Sequence, residues 1–355
     1  MTDTTLLTVL RPDGTVDKKH DPNLPTETLL ELYRHMATVR RFDELMLQLQ
    51  RQGRIGFYGP IKGQEAATIG SGFAAGPQDW IMPALREGYL AVLRGLPLEL
   101  AIAQLIGNSL DLVKGRQMPC HYTWKPGRYV AMSSVIGTQI SHATGIAMAA
   151  KYRKDGSVTL GYLGDGATSA NDFHCGLNFA AVWQAPVVFV CQNNHWSISV
   201  PAKAQTASAT FAIKARAYGM PGVLVDGNDV LAVYRATADA IARARRGDGP
   251  TLIECRTYRR LGHTSSDDPS KYRDEQEVVE WEKRDPIDRF RTWLEQRKLW
   301  DGKRDEALRE QVAVQVSRAL QAVESAPPPP PESLFSDVFQ GTTPQLEEQL
   351  RDARP

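Results

Sequence analysis

The sequence predicts an α/β protein in which helices flank a parallel sheet, with further helical segments at both ends. Three observations support this prediction: the length of the chain, several short runs that are apolar throughout, and longer helical patterns between them. A chain of 355 residues is long enough to bury one large core. Apolar strands that alternate with helices are typical of a parallel sheet covered on both faces.

The first part of the chain is expected to be an arm followed by helices. Residues 1–25 are rich in Asp, Thr, Lys and Pro and predict an N-terminal arm. Thr26 is expected to cap an amphipathic helix that runs to about Arg51. Helical patterns then dominate as far as Val113.

The sheet is predicted from five apolar runs with helical stretches between them. The predicted strands cover 128–134, 157–163, 185–192, 222–226 and 250–258. The predicted helices cover 138–152, 170–183, 208–218 and 229–246. Charged helical sequence returns from about residue 271, and a proline run at 327–331 stiffens the last connection. We therefore divide the chain into the arm, an α/β domain at 26–326 and a tail at 327–355.

Composition excludes several classes of protein. A net charge of +1 provides no basic field for nucleic acid. No apolar run approaches the roughly 20 residues that span a bilayer, and the polar N-terminus does not resemble a signal peptide. The four cysteines lack C-x-x-C spacing and predict reduced thiols, so a cytoplasmic protein is expected. No histidine pair has the spacing of a zinc site.

Two predicted strands end in loops of small and oxygen-bearing residues. These are "GYLGDGATSA" (161–170) and "VCQNNHWSIS" (190–199). Ligands of open parallel sheets bind beyond the carboxyl ends of the strands, where both loops are expected. The helix that follows the first loop would offer free N–H groups to a phosphate.

Asp165 would place a carboxylate beside that phosphate, and the two anions need a cation between them. Mg²⁺ prefers oxygen ligands in an octahedron. Asn194 could supply an amide oxygen and Trp196 a backbone carbonyl oxygen. The two loops therefore predict one Mg²⁺ bound to a diphosphate.

Two other glycine-containing stretches test this interpretation. A second "GDG" at 247–249 follows a basic helix end and has no later Asn-Asn pair, so it predicts an ordinary turn. The stretch "GSGFAA" (70–75) fits a dinucleotide fingerprint, but helical sequence precedes it where a strand is required. A nicotinamide-dependent oxidoreductase remains an alternative that needs a strand before residue 70.

The Gly164-Asp165-Gly166 and Asn193-Asn194 elements together resemble the cofactor motif of thiamine-diphosphate enzymes. Other stretches resemble the alpha subunits of the decarboxylase component of branched-chain 2-oxo acid dehydrogenases. The resemblance extends from about residue 29 to about residue 339 and includes "RQGRIGFY", "GNSLDLVKGRQMPCHY", "SSVIGTQI", "VDGNDVLAVYRAT", "TYRRLGHTSSDDPSKYR" and "LFSDVF". Pyruvate and acetoin dehydrogenase alpha subunits share fewer of these stretches and stay open as alternatives.

The resemblance implies a diphosphate-type thiamine-binding domain and a role for particular residues. It implies Mg²⁺ ligation by Asp165, Asn194 and the Trp196 carbonyl, and a catalytic and cofactor-binding role for His263. The other implied cofactor contacts are Arg86, Ser134, Ile136, Gly166, Ala167 and Gln192, the implied acyl pocket is Phe57 and Leu85, and a possible potassium loop holds Ser133, Thr138 and Gln139.

Two residues depart from the family pattern. Gln192 stands where mammalian subunits have an arginine, which makes that diphosphate contact a neutral hydrogen bond. Leu85 replaces an aromatic residue, so the resemblance does not define the shape of the acyl pocket.

The resemblance also implies partners. The glutamate that activates the cofactor belongs to a separate domain of this superfamily, so this chain is expected to need a beta subunit in an α2β2 heterotetramer. A lipoyl-bearing acyltransferase would accept the acyl group made from a small 2-oxo acid. A non-catalytic subunit is the remaining alternative, and the presence of Asp165, Asn194 and His263 argues against it.

Overall fold

The computed structural model describes residues 3–337 and 339–353. The first two residues of the predicted arm, the last two of the tail, and Val338 within "LFSDVF" lie outside the described residues.

One parallel sheet organises the described part of the chain. Its six strands are β1 (Asp3–Leu7), β2 (Trp80–Met82), β3 (Thr159–Gly164), β4 (Val187–Asn193), β7 (Gly222–Asp226) and β8 (Thr251–Arg256), in the order β1-β7-β8-β4-β3-β2. Each neighbouring pair is parallel. A small antiparallel hairpin of β5 (Trp196–Ser197) and β6 (Val200–Pro201) follows β4.

Helices surround the sheet and extend beyond it. They are α1 (Thr26–Arg51), α2 (Glu65–Ala74), α3 (Tyr89–Leu93), α4 (Leu98–Ile106), α5 (Thr138–Arg153), α6 (Asn171–Val182), α7 (Val230–Arg245), α8 (Glu275–Glu282), α9 (Pro286–Gln296), α10 (Gly302–Glu324), α11 (Ser333–Ser336) and α12 (Pro344–Asp352). Short 3₁₀ turns occur at Lys125–Gly127, Asp165–Ser169, Ala202–Ala204, Ala212–Tyr218 and Pro269–Lys271. The predicted fold class is confirmed.

Four of the five predicted strands form, as β3, β4, β7 and β8. Their side chains are almost entirely buried, which explains why the apolar runs identified them. The predicted helices at 138–152, 170–183 and 229–246 form as α5, α6 and α7, whereas 208–218 contains only the 3₁₀ turn Ala212–Tyr218.

The predicted strand at 128–134 is wrong. In this stretch Tyr129 makes only isolated bridges, to Ile81 and to Trp124. The strand that extends this edge of the sheet is β2, which lies in sequence that reads as helical. At three residues, β2 is too short to show a period of its own.

The predicted cap of α1 is also wrong by one residue. Pro25 occupies the cap position, and no side chain caps this helix end. Thr26 is instead the first helical residue. Proline, with its fixed φ, is suited to the start of a helix.

The predicted arm contributes the edge strand β1, which pairs with β7. The carboxylate of Asp229 fixes the chain just after β1, because its Oδ2 accepts the N–H groups of Val9 (2.6 Å) and Leu10 (2.7 Å). The same carboxylate caps α7 through Leu231 N–H. Burial raises the pKa of Asp229 to about 6. The division into arm, domain and tail stays a prediction.

The "GSGFAA" stretch forms the end of α2 together with Ala75, the residue after the helix, and no strand leads into it. Gly72 allows close packing, because a Cβ there would lie 2.4 Å from Leu90 Cδ2. The stretch therefore lacks the context of a dinucleotide site. Among the described helices, none is long and apolar enough to cross a membrane.

Candidate active site

A cleft with a cavity volume of about 340 Å³ lies beyond the carboxyl ends of β2, β3, β4 and β8. The structure brings nearly all of the predicted site residues into it: Phe57, Leu85, Arg86, Ser133, Ser134, Ile136, Gln139, Asp165, Gly166, Ala167, Gln192, Asn194, Trp196 and His263. Thr138, the first residue of α5, does not line the cleft. The potassium loop therefore stays a prediction.

Asp165 lies at the end of β3, directly beside the end of β4, and is 1% exposed. Its Oδ2 accepts a hydrogen bond of 2.9 Å from Gln205 Nε2. Burial raises the pKa of Asp165 to about 6, although hydrogen bonds from Gln205 and from the Asn194 backbone oppose the shift. The carboxyl group is therefore ionised at neutral pH and costly to keep ionised without a cation.

Two residues that line the same cleft carry neutral oxygens: Asn194, which directly follows β4, and Trp196 in β5. Asn194 Oδ1 accepts the Trp196 N–H at 3.1 Å, and the Trp196 carbonyl accepts from Arg259 Nη1 at 3.2 Å. Each oxygen has a second lone pair. Within the described residues, no three His, Cys, Asp or Glu side chains cluster as metal ligands. One carboxylate with amide and carbonyl oxygens is a donor set that suits Mg²⁺.

The glycines on either side of Asp165 shape the floor of the cleft differently. A Cβ at Gly166 would lie 2.2 Å from Ser197 Oγ, so only glycine allows this loop to approach β5. A Cβ at Gly164 would meet nothing within 4 Å. Gly164 lines the cleft, and its missing side chain leaves room there for a ligand.

Arg86 follows β2 and carries a buried positive charge into the cleft. Its Nη2 donates to the His263 carbonyl (2.8 Å) and lies 3.3 Å from His263 Nδ1, and its Nη1 donates to the Pro60 carbonyl. Burial and the nearby Arg259 lower the pKa of Arg86 to about 10, which leaves it protonated at neutral pH. A guanidinium at this position suits a phosphate ligand.

His263 lies on the loop after β8 and is half-buried. Burial, then Arg86 and Arg259, lower the pKa of His263 to about 4, so the imidazole is neutral at pH 7. Since Arg86 can only donate, Nδ1 accepts and the ring proton is assigned to Nε2. The backbone N–H of His263 donates to Asp267 Oδ2 at 2.5 Å, which holds the loop.

Phe57 and Leu85 line one wall of the cleft and are both half-buried. The neighbouring Tyr58 fixes the Phe57 segment, because its hydroxyl donates to Asp43 Oδ1 at 2.7 Å and its N–H to Ser265 Oγ at 3.2 Å. Both apolar side chains line the same cleft as His263.

Gln192 is 2% exposed, and its Nε2 donates to Thr68 Oγ1 at 2.9 Å. Its Oε1 has no partner. A hydroxyl both donates and accepts, so the reversed amide would keep the Thr68 contact and turn an N–H towards the cleft. Gln192 can therefore offer the neutral hydrogen bond that the family resemblance implies.

Sequence reasoning missed several residues that line the cleft: Gln64, Ala84, Glu87, Met118, Val135, Ser197, Ile198 and Thr264. Glu87 adjoins Arg86 in sequence, and burial raises the pKa of this carboxyl to about 7. Gln64 lies in "KGQEAATI", where the polar pair before a small-residue helix was the available signal.

The mouth of the cleft is apolar and exposed. Met118 is 53% exposed, Val135 67%, Ile136 63% and Ile198 54%. Ile198 also has a φ of 53°, which is uncommon for a β-branched residue. Several exposed apolar side chains around one ligand site are typical of a surface that another protein covers.

Comparison with known proteins gives a consistent family. The family model described as "Dehydrogenase E1 component" matches residues 33–332. The "3-methyl-2-oxobutanoate dehydrogenase subunit alpha" of Mycobacterium tuberculosis is 43% identical over 351 residues, which cover 97% of this chain and 92% of that protein. The mitochondrial "2-oxoisovalerate dehydrogenase subunit alpha" of Homo sapiens is 42% identical over 335 residues, or 94% and 75% of the two chains. An Arabidopsis thaliana mitochondrial "2-oxoisovalerate dehydrogenase subunit alpha 1" is 41% identical over 343 residues, 96% and 73%.

Proposed function

The chain belongs to the dehydrogenase E1 component family, and on that premise we propose that it is the alpha subunit of a thiamine-diphosphate-dependent 2-oxo acid dehydrogenase acting on branched-chain substrates. The observation that supports this most is the meeting of Asp165, Asn194, Arg86 and His263 in one cleft at the strand ends. The relatives whose names specify 3-methyl-2-oxobutanoate and 2-oxoisovalerate dehydrogenase support the branched-chain class.

The cleft would hold Mg²⁺ through Asp165, Asn194 Oδ1 and the Trp196 carbonyl, with the diphosphate near Arg86. The room at Gly164 and the three oxygen donors fit this cofactor. When bound, thiamine diphosphate supplies a carbanion and an electron sink for loss of CO₂.

The protein's own residues would bind and orient the ligands in the cleft and would transfer protons to them. Arg86 stays charged, and its contacts to the His263 loop hold it against the ligand side of the cleft. His263, neutral at pH 7 with its ring proton on Nε2, would donate that proton to a reacting group during the reaction and regain it afterwards. Asp165 would gain the cation that its buried charge lacks.

A beta subunit would complete the site. The exposed side chains of Met118, Val135, Ile136 and Ile198 around the mouth would be covered in an α2β2 heterotetramer. The acyl group would pass to a lipoyl-bearing acyltransferase.

Substrate ranking tests the branched-chain proposal. Each buried methylene contributes about 0.8 kcal/mol, and one methylene gives about 10- to 200-fold discrimination. With Phe57 and Leu85 as an apolar wall, we expect kcat/KM of the reconstituted α2β2 enzyme to be higher for 3-methyl-2-oxobutanoate and 4-methyl-2-oxopentanoate than for pyruvate. A tenfold preference for pyruvate would instead indicate a pyruvate dehydrogenase.

A Leu85→Trp variant separates the pocket from the core. If Leu85 shapes the acyl pocket, the added bulk should shift the ranking towards pyruvate at nearly unchanged melting temperature. A lower melting temperature with the ranking unchanged would show that Leu85 acts through packing.

A further inference from the structure

Gln64 is a fully buried amide at the floor of the cleft and belongs to none of the predicted site residues. It precedes α2, is 0% exposed and lines the same cavity as Asp165 and Asn194. Its Oε1 accepts a hydrogen bond of 3.0 Å from Asn194 Nδ2. Its Nε2 has no partner.

The hydrogen-bond network fixes which way these two amides point. The Trp196 N–H can only donate, and it lies 3.1 Å from the Asn194 side chain, so that atom of Asn194 is the oxygen. Asn194 therefore turns its nitrogen towards Gln64. Gln64 therefore accepts this hydrogen bond with its oxygen, and its NH₂ group has no partner among the described protein atoms.

A buried amide N–H is costly to leave without an acceptor. The described protein atoms supply none. A ligand in the cleft that Gln64 lines could supply the acceptor, and an anionic oxygen would be the strongest.

We propose that Gln64 has two functions: it orients the Asn194 amide so that Oδ1 faces a metal ion, and it donates its free N–H to an oxygen of the cofactor's diphosphate. This rests on the proposed function, which puts Mg²⁺ and thiamine diphosphate in the cleft. Gln64 is a positioning residue towards the metal and a direct contact towards the diphosphate.

Two variants separate these functions. Gln64→Glu keeps an acceptor for Asn194 but replaces the N–H with a negative oxygen. Gln64→Met removes both contacts at similar volume. The matched control is Gln104→Met, because Gln104 is also buried at 5% exposure with an unpartnered Oε1 but does not line the cleft.

The experiment is calorimetry on the chain reconstituted with its beta subunit, titrated with thiamine diphosphate with and without MgCl₂. We expect both Gln64 variants to weaken binding in MgCl₂ by at least about tenfold, equivalent to 1.4 kcal/mol. Gln64→Glu should keep the factor by which Mg²⁺ tightens binding, and Gln64→Met should reduce that factor. Gln104→Met should change melting temperature only.

Affinities of both Gln64 variants within twofold of the wild type would overturn the inference. An unchanged Mg²⁺ factor in Gln64→Met would refute the positioning of Asn194. A wild-type complex that binds no thiamine diphosphate would instead refute the proposed function, which is a separate result.

Discussion

Replacing Asp165 with Asn is expected to abolish Mg²⁺-dependent binding of thiamine diphosphate while leaving the fold intact. The substitution keeps the shape of the side chain and removes the one carboxylate of the donor set. Loss of outer-shell partners alone lowers metal affinity 10- to 100-fold, so loss of a ligand should cost at least about 100-fold. Calorimetry on the reconstituted complex measures this directly.

In the ligand-free protein, the same substitution is expected to increase the stability of the fold at neutral pH. Burial raises the pKa of Asp165 from 3.8 to about 6. A carboxyl with a raised folded-state pKa contributes stability below pH 3.8 that is lost as the pH rises through about 6. Asn does not ionise, so the ligand-free variant should be more stable at pH 7.5 by roughly 2–3 kcal/mol, and unchanged near pH 3.5. Denaturant unfolding at the two pH values tests the sign.

The chain contains its own control for this experiment. Asp248 occupies a second Gly-Asp-Gly at the end of α7, where Gly247 and Gly249 both have positive φ. Asp248→Asn should leave cofactor binding unchanged. Equal binding by Asp165→Asn and the wild type would contradict the metal assignment.

Replacing His263 with Ala is expected to lower kcat by about 10²- to 10⁴-fold, the usual contribution of a positioned acid or base. Cofactor affinity should change far less, because Arg86 keeps its hydrogen bond to the backbone carbonyl of residue 263. Steady-state kinetics and calorimetry on the same preparation separate these two effects.

Two further variants test whether His263 acts as an acid or base in the reaction. His263→Gln restores a side-chain N–H but cannot exchange protons, so it should recover activity only if His263 acts as a hydrogen-bond donor. His20→Ala, in the N-terminal arm near Asp17, should have no effect. If His263→Ala kept a third or more of the wild-type kcat, His263 would have no catalytic role.

The fold and most of the site could be predicted because the strands are buried on both faces. Unbroken apolar runs identified β3, β4, β7 and β8, and the carboxyl ends of β3 and β4 had to meet. Sequence context also distinguished the two Gly-Asp-Gly copies, because only the first follows a strand.

The remainder depended on contacts that leave no periodic pattern. The strand β2 is three residues long, and β1 forms by pairing with β7, more than 200 residues away in sequence. Gln64 contacts the site through Asn194, which lies 130 residues later in sequence. Thr138 shows the converse, since a residue between cleft-lining neighbours can face elsewhere at the start of a helix.

The most direct test of the account is decarboxylation of 3-methyl-2-oxobutanoate by this chain with and without its beta subunit. Release of CO₂ would be measured with excess thiamine diphosphate, MgCl₂ and an artificial electron acceptor for each chain alone and for the mixture. We expect no measurable turnover by either chain alone and turnover when the two chains are mixed. The reason is that exposed apolar residues surround the mouth of the cleft, where we propose that the beta subunit binds. Robust turnover by the isolated chain, or none by the assembled mixture, would contradict the account.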